Sequence, residues 1–151
     1  MKLANALAQR SELQTRINQL RVRLNNNALV QEGETPAEDP KELLKELEKD
    51  YKTLENLIGR INRTNNETKL NSGETLTELL ARRDCLTGKL EIMRQFLDHA
   101  SDRVQRHSVS EIKIVSTVDV RSLQKQVDKL SAQLRQVDET IQEKNWTTEL
   151  L

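Results

Sequence analysis

The chain has 151 residues, of which 32% are charged and 2% are aromatic. This composition is typical of long amphipathic helices and argues against a β-sandwich or a β-barrel. The 24 basic residues equal the 24 acidic ones in number, so no net positive charge attracts phosphates, and we expect no nucleic-acid partner.

Apolar stretches in the chain are short. The first residues, MKLANALAQR, reach Arg10 before an apolar segment as long as a signal peptide core has formed. No stretch approaches the length that spans a bilayer. The single cysteine, Cys85, excludes an internal disulfide. We therefore expect a cytoplasmic protein with no membrane partner.

Helix 1 is predicted over residues 2–26, because apolar residues recur there at alternating spacings of three and four. Asn25, Asn26 and Asn27 end the pattern. The residues predicted to face the core are Leu3, Ala6, Arg10, Leu13, Ile17, Leu20 and Leu24.

Helix 2 is predicted over residues 40–64, with Asp39 as the N-cap, Pro40 at the first helical position and Glu42 placed for a capping box. Leu43 and Leu57 lie beside its predicted core-facing stripe, so the apolar face is wide and favours a bundle over a lone coiled coil. The predicted stripe consists of Leu44, Leu47, Tyr51, Leu54, Ile58 and Ile61.

Helix 3 is predicted over residues 76–103, with Thr75 as the N-cap after an Asn-rich turn. Gly88 in this helix and Gly59 in helix 2 each cost about 1 kcal/mol of helix stability relative to alanine. Either another element approaches closely at these glycines or they are simply tolerated. The predicted core-facing stripe consists of Leu79, Arg83, Leu86, Leu90, Met93, Leu97 and Ala100.

Helix 4 is predicted over residues 120–145, with Asp119 as the N-cap, and it carries the most regular heptad of the chain. A β-branched cluster before it predicts a strand at about residues 109–117. This strand needs a neighbour, either residues 28–32 or the same strand of another subunit, so we expect a homo-oligomer. The predicted stripe of helix 4 consists of Val120, Leu123, Val127, Leu130, Leu134, Val137 and Ile141.

Together these elements predict one all-α domain over residues 1–151. It is an antiparallel bundle of three or four long helices, with one short β element between helices 3 and 4.

Two arginines, Arg10 and Arg83, occupy predicted core positions. If the helices alternate up and down, counting residues from each turn places both arginines at about the same height. Neither has an acidic residue three or four places away, and an unpaired buried charge costs several kcal/mol. We therefore expect each to find an anion across the bundle, with Asp138 as the leading partner and Glu55 and Asp84 as further ones.

This polar layer has two interpretations. The favoured one is a network that fixes helix register. The other is a pocket in which the arginines bind an anionic ligand such as a nucleotide phosphate, with Trp146 stacking on the base. The candidate ligand-binding residues are Arg10, Asn62, Arg63, Arg83, Asp84, Asp138, Asn145 and Trp146.

No catalytic or metal-binding pattern accompanies this layer. The chain has no phosphate-binding glycine loop, no Ser/His/Asp arrangement and no zinc-ligand spacing. We interpret Cys85 as a small buried hydrophobic residue, because no histidine lies near it in sequence. We therefore expect no enzyme, no cofactor and no metal.

Five ordered motifs, QEGETPAEDPKELL, INRTN, LARRDCL, SEIKIVSTVDV and NWTTELL, resemble those of the small bacterial septicolysin-like proteins. The resemblance implies a compact helical protein of bacterial or phage origin. Its family name suggests a thiol-activated cytolysin, which a single cysteine fits. The residues argue against that activity, since the chain has neither an amphipathic hairpin nor an apolar helix able to enter lipid.

The leading hypothesis for function is a non-enzymatic cytoplasmic binding protein. Its Arg-lined polar site takes a small anionic ligand and sequesters a nucleotide or a nucleotide-derived signal. The first alternative is a structural or adaptor helical oligomer without a small-molecule ligand, and the second alternative is a cytolysin.

Overall fold

The computed structural model describes residues 1–101 and 112–151, and four helices account for most of them. They are α1 (Leu3–Asn26), α2 (Pro40–Glu67), α3 (Leu76–Ser101) and α4 (Val120–Thr147). The all-α class is confirmed. Helix α2 ends three residues after its predicted end, and α4 ends two residues after its own. Residues 102–103, predicted as the end of helix 3, lie outside the described part of the chain.

The chain divides into two compact units. Unit 1 contains Met1–Leu76 and Glu143–Leu151, and unit 2 contains Thr77–Gln142. Unit 1 is built on α1 and α2, whereas unit 2 holds nearly all of α3 and most of α4. The single domain over residues 1–151 stays a prediction.

In unit 1, α1 and α2 pack side by side and run in opposite directions. Arg16 of α1 pairs with Asp50 of α2, and Arg23, two turns later in α1, reaches Glu46, one turn earlier in α2. As predicted, Asp39 caps α2, because its side chain accepts a hydrogen bond from the backbone N–H of Lys41 at 2.9 Å. The residues of α1 that are buried are Leu3, Ala6, Leu13 and Leu20, all from the predicted stripe.

The core-facing stripe predicted for helix 2 is wrong at two of its six members. Leu44 and Tyr51 are exposed, whereas Leu43, which was placed beside the stripe, is buried. The observed stripe has the same alternating spacing and shares the buried Leu54 and Ile61 with the predicted one. Periodicity alone therefore does not separate the two stripes, whereas packing against α1 does. The buried residues of α2 are Leu43, Asp50, Leu54, Leu57, Ile61 and Thr64.

Two short antiparallel backbone pairings lie in unit 1 outside its helices. Residues 68–76 form a turn in which Lys69 pairs with Thr75, and Gly73 has a φ of +85°, a conformation that favours glycine. Residues 148–150 pair with residues 1–3: the N–H of Leu3 donates to the carbonyl of Thr148 at 2.9 Å, and the N–H of Leu150 donates to that of Met1 at 2.8 Å.

In unit 2, α3 and α4 run antiparallel around an apolar core. Leu90 and Leu97 of α3 and Val127 of α4 are its buried centre. The Arg94 side chain donates to Ser131 Oγ at 3.0 Å. The half-buried residues packed on the centre are Met93, Val120, Leu123, Leu130 and Leu134, all from the predicted stripes.

The predicted strand at about residues 109–117 is wrong for residues 112–117, which form no strand, while residues 109–111 lie outside the described chain. The neighbour proposed for it, residues 28–32, also forms no strand. β-branched residues favour extended backbone, but a strand forms only where another strand satisfies its N–H and C=O groups. Instead, the Ser116 hydroxyl forms local hydrogen bonds with the backbone of Val118: it donates to the carbonyl and accepts from the N–H.

Candidate functional site

The two arginines of the predicted layer lie at half-buried positions in different units. Arg10, in unit 1, has no acidic side chain within ion-pair distance in the described part of the chain. Arg83, in unit 2, pairs with its own neighbour: its Nε lies 3.1 Å and its terminal nitrogen 2.9 Å from Asp84 Oδ1. Asp84, one of the expected partners, is confirmed as the anion that pairs with Arg83. Because Asp84 is the next residue on the same helix, the expectation of an anion across the bundle is wrong for Arg83. Its side chain is 35% exposed, because a long arginine side chain carries its charged end from the core edge to the surface.

The other predicted site residues are mostly exposed. Asn62, Arg63 and Asp138 face solvent, and Trp146 is 63% exposed, whereas Asn145 is buried. Of the eight candidates, Arg83 and Asp84 are brought into contact by an ion pair. The predicted polar layer with Arg10 and Arg83 at one height combines residues of unit 1 with residues of unit 2. It therefore stays a prediction.

A polar pair that sequence analysis missed lies between α1 and α2. Arg16 Nε donates to Asp50 Oδ2 at 2.7 Å, and a second guanidinium nitrogen bonds Asp50 Oδ1. Asp50 is 1% exposed, while the Arg16 side chain is 49% exposed. The hydrogen bond to Asp50 is the main reason that the pKa of Arg16 is raised. The sequence contains a signal for this pair, because Asp50 lies seven residues from both Leu43 and Leu57, whereas the predicted stripe contains the neighbouring Tyr51.

A second polar cluster joins the end of α1 to the start of α2. Arg23 Nε lies 3.2 and 3.1 Å from the two carboxylate oxygens of Glu38, and this hydrogen bonding is the main cause that lowers the pKa of Glu38. Asn27 is buried here. Its amide nitrogen donates to the carbonyl of Arg23 at 2.8 Å, and its amide oxygen accepts the N–H of Glu38 at 3.0 Å. This cluster ties the loop to the end of α1.

The arginines of these ion pairs already have carboxylate partners within the protein. Arg16, Arg23 and Arg83 each face a carboxylate of the same unit, which leaves little of their charge for a ligand. Among residues 1–101 and 112–151, no group of His, Cys, Asp and Glu side chains is placed to hold a metal ion. Within the same ranges, no helix has the length and apolar character needed to cross a membrane.

The side of α3 that points away from the unit 2 core carries a row of exposed small and apolar residues, which we name the outer face of α3. The burial predicted for Cys85 is wrong, because Cys85 is exposed on this face. One helical turn is 3.6 residues, so this row lies opposite the buried Leu79, Leu90 and Leu97. The outer face consists of Ala81, Cys85, Gly88, Ile92 and Phe96.

The fold and this surface define an all-α protein built from two antiparallel helical pairs, one of which exposes an apolar helix face. A family of unknown function (DUF6847) matches residues 10–150, and the chain belongs to that family. It is also similar to a functionally unknown conserved protein from Corynebacterium diphtheriae whose crystal structure is known. The two chains are 44% identical, the match covers 100% of this chain and 99% of that one, and the TM-score is 0.93.

The resemblance to septicolysin-like proteins is therefore wrong, since the family found over residues 10–150 is a different one. No curated protein matches the chain. The cytolysin alternative was suggested by that resemblance alone.

Proposed function

We propose that this protein is a non-enzymatic helical protein of the cytoplasm. On this proposal it assembles with a second copy of itself through the outer face of α3. The observation that carries the proposal is the exposure of two large apolar side chains one turn apart on this face. Ile92 is 70% exposed and Phe96 is 47% exposed. The opposite side of the same helix already packs on α4, so this second apolar row does not serve the fold of unit 2.

Several features support assembly over small-molecule binding. An apolar helix row with i, i+4 and i+7 spacing is the surface that binds another helix. The chain carries no net charge at neutral pH, so it has little net repulsion to oppose self-association. The arginines expected to receive a ligand are in part neutralised by carboxylates, as Arg83 is by Asp84.

Sedimentation equilibrium tests the proposal with Ile92→Glu, which places a charge in the outer face of α3. The wild-type protein is expected to sediment above its monomer mass of 17.4 kDa at micromolar concentration, and the variant at that mass. Val22→Glu is the matched control, because Val22 is also an exposed apolar residue but lies on α1. A wild-type protein that stays monomeric at all concentrations overturns the proposal, as does an Ile92→Glu variant that assembles normally.

A second candidate function is the binding of a small anion, favoured by one observation. Arg10 is half-buried and has no carboxylate partner in the described part of the chain. A half-buried guanidinium without a partner is suited to a phosphate or carboxylate ligand. On this proposal the remaining candidate residues, Asn62, Arg63, Asn145 and Trp146 of unit 1, would provide further polar and stacking contacts.

Thermal shift measurements separate this candidate from assembly. A ligand that binds the native state raises the melting temperature by mass action, so ATP, a cyclic dinucleotide and inorganic phosphate are tested as separate probes. The increase is expected to disappear in Arg10→Leu but to persist in Arg21→Leu, since Arg21 is an exposed arginine of the same helix. No increase with any probe, or an equal increase in both variants, contradicts an Arg10 site.

A further inference from the structure

The outer face of α3 has the geometry of a coiled-coil seam. Its residues follow one another at spacings of four, three, four and four, and a helix turns about 100° per residue. In heptad notation Cys85 and Ile92 take a positions, while Ala81 and Gly88 take d positions. Phe96 follows Ile92 at the border of the seam.

The residues that flank this seam carry opposite charges on its two sides. One side, at g positions, presents the exposed acids Asp84, Glu91 and Asp98. The other side presents the exposed Lys89 at an e position. In helix pairs, the charges at e and g positions decide which partner is accepted and in which direction it runs.

We infer that the α3 helices of two copies pair in parallel and in register, so that Cys85, Gly88 and Ile92 each face the same residue of the second copy. This inference rests on the assembly proposed above and specifies its geometry. In a parallel pair, a g residue meets the e residue five positions later on the other helix, so Asp84 of each copy meets Lys89 of the other. In an antiparallel pair, g positions meet g positions, which brings Asp84 and Glu91 of the two copies together.

The contact between Asp84 and Lys89 remains available when Asp84 is bonded within its own chain. Arg83 reaches Oδ1 of Asp84 in both of their hydrogen bonds. A carboxylate has two oxygens with about four acceptor sites in total, so Oδ2 is free to accept from a lysine of the second copy. Asp84 then binds Arg83 of its own chain and Lys89 of the other.

Parallel pairing also explains Gly88. A Cβ added at Gly88 has no heavy atom within 4 Å, so nothing within the chain requires a glycine there, although glycine weakens a helix. In a parallel pair, Gly88 faces Gly88 at a d position, between layers formed by Cys85 and by Ile92. The missing side chains let the two backbones approach closely at the middle of the seam.

Oxidative cross-linking of the full-length protein tests this register, because Cys85 is the single cysteine. Copper–phenanthroline joins two thiols as a disulfide, while two protons are released and two electrons pass to the oxidant. A disulfide forms only when the two Cα atoms lie within about 7 Å. The wild-type protein and the Cys85→Ser/Ile92→Cys variant are each expected to give a covalent dimer. The control Cys85→Ser/Thr87→Cys, whose cysteine lies on another side of α3, is expected to stay monomeric on a non-reducing gel.

An equimolar mixture of the Cys85→Ser/Ala81→Cys and Cys85→Ser/Ile92→Cys variants distinguishes the two directions. Parallel pairing predicts disulfides between like positions. In an antiparallel seam a positions face d positions, so the register that brings Asp84 and Glu91 together joins position 81 to position 92, which mass spectrometry of the cross-linked peptides identifies. Cross-links between positions 81 and 92 in an assembled protein overturn the parallel register and leave the proposed assembly standing. Monomeric protein overturns both.

A charge reversal gives an independent measurement. Lys89→Glu replaces two attractive pairs by repulsive ones, so the dissociation constant of the pair is expected to rise about tenfold at low salt. The double variant Asp84→Lys/Lys89→Glu restores attraction in a parallel pair and is expected to recover most of the affinity. A double variant that is weaker than Lys89→Glu alone overturns the inference.

Discussion

Arg16 of α1 holds both carboxylate oxygens of Asp50 of α2, and the acid is almost fully buried while the guanidinium is half exposed. The two partners therefore differ in what their loss costs. Without Arg16, the carboxylate of Asp50 is left buried and unpaired. Without Asp50, the arginine only turns towards solvent.

Arg16→Leu is predicted to lower the free energy of unfolding by about 3 kcal/mol at neutral pH, because an uncompensated buried charge is costly. The double variant Arg16→Leu/Asp50→Leu is expected within about 1 kcal/mol of the wild type, since apolar replacement of a buried ion pair is often neutral. Urea denaturation monitored by the helical circular dichroism signal measures both. Arg21→Leu is the control, and a loss at position 16 as small as the loss at position 21 contradicts the prediction.

Asn27→Ala is predicted to destabilise the protein by about 1–2 kcal/mol. The buried amide of Asn27 bonds the carbonyl of Arg23 and the N–H of Glu38, and a buried polar group that loses its partner costs about this much. Asn26→Ala is the matched control, because Asn26 is exposed at the preceding position. Thermal unfolding of the two variants side by side is the measurement, and equal melting temperatures argue against a structural role of the Asn27 side chain.

The ion pairs of Glu149 predict a loss of stability in acid. The hydrogen bond from Lys2, followed by that from the Met1 ammonium group, lowers the pKa of Glu149 from its ordinary value of 4.5 to about 2. A carboxyl group whose pKa is lower in the folded state stabilises the fold above its ordinary pKa. We expect this contribution to be present above pH 4.5 and to disappear as the pH falls towards 2.

Melting temperatures of the wild type and of Glu149→Gln, measured across that pH range, check this expectation. The wild type is expected to be the more stable near neutral pH, and the difference is expected to vanish near pH 2 and to shrink at high salt. Glu139→Gln, at another exposed glutamate, controls for the general effect of removing a negative charge. A difference between the wild type and Glu149→Gln that does not change with pH contradicts the assignment.

Gly59→Ala in α2 is predicted to stabilise the protein by about 0.5–1 kcal/mol. Gly59 lies inside a helix, and a Cβ added there has no heavy atom within 4 Å, so the substitution gains helix propensity without a clash. Gly73→Ala is expected to act in the opposite direction, by about 1 kcal/mol or more, because Gly73 has a φ of +85°. Urea unfolding of both variants measures these changes. A destabilising Gly59→Ala would show that another element approaches this position closely.

Periodicity and caps determined most of the secondary structure of this protein. The spacing of Leu3, Leu13 and Leu20 predicted the buried side of α1, and Asp39 followed by Pro40 predicted where α2 begins. These signals are local, since a helix forms from contacts three and four residues apart and ends where its N–H groups find a cap.

The site residues depended on information that a single helix does not hold. Two stripes of α2, one with Leu44 and Tyr51 and one with Leu43 and Asp50, have the same spacing, and the second one faces α1. The ion pair at the interface of α1 and α2 is therefore that of Arg16 with Asp50. This pair was not predicted. In the same way, Arg83 was placed at a core position but reaches Asp84 near the surface.

The sequence by itself determined that four helices form, nearly where each begins, and which side of α1, α3 and α4 faces the core. Only the tertiary structure decided which stripe of α2 is buried, that residues 112–117 form no strand, and that Cys85 lies on an exposed face. The physical reason is that helical hydrogen bonds close within a few residues of one another. The burial of a side chain and the pairing of a strand instead depend on neighbours that are distant in sequence.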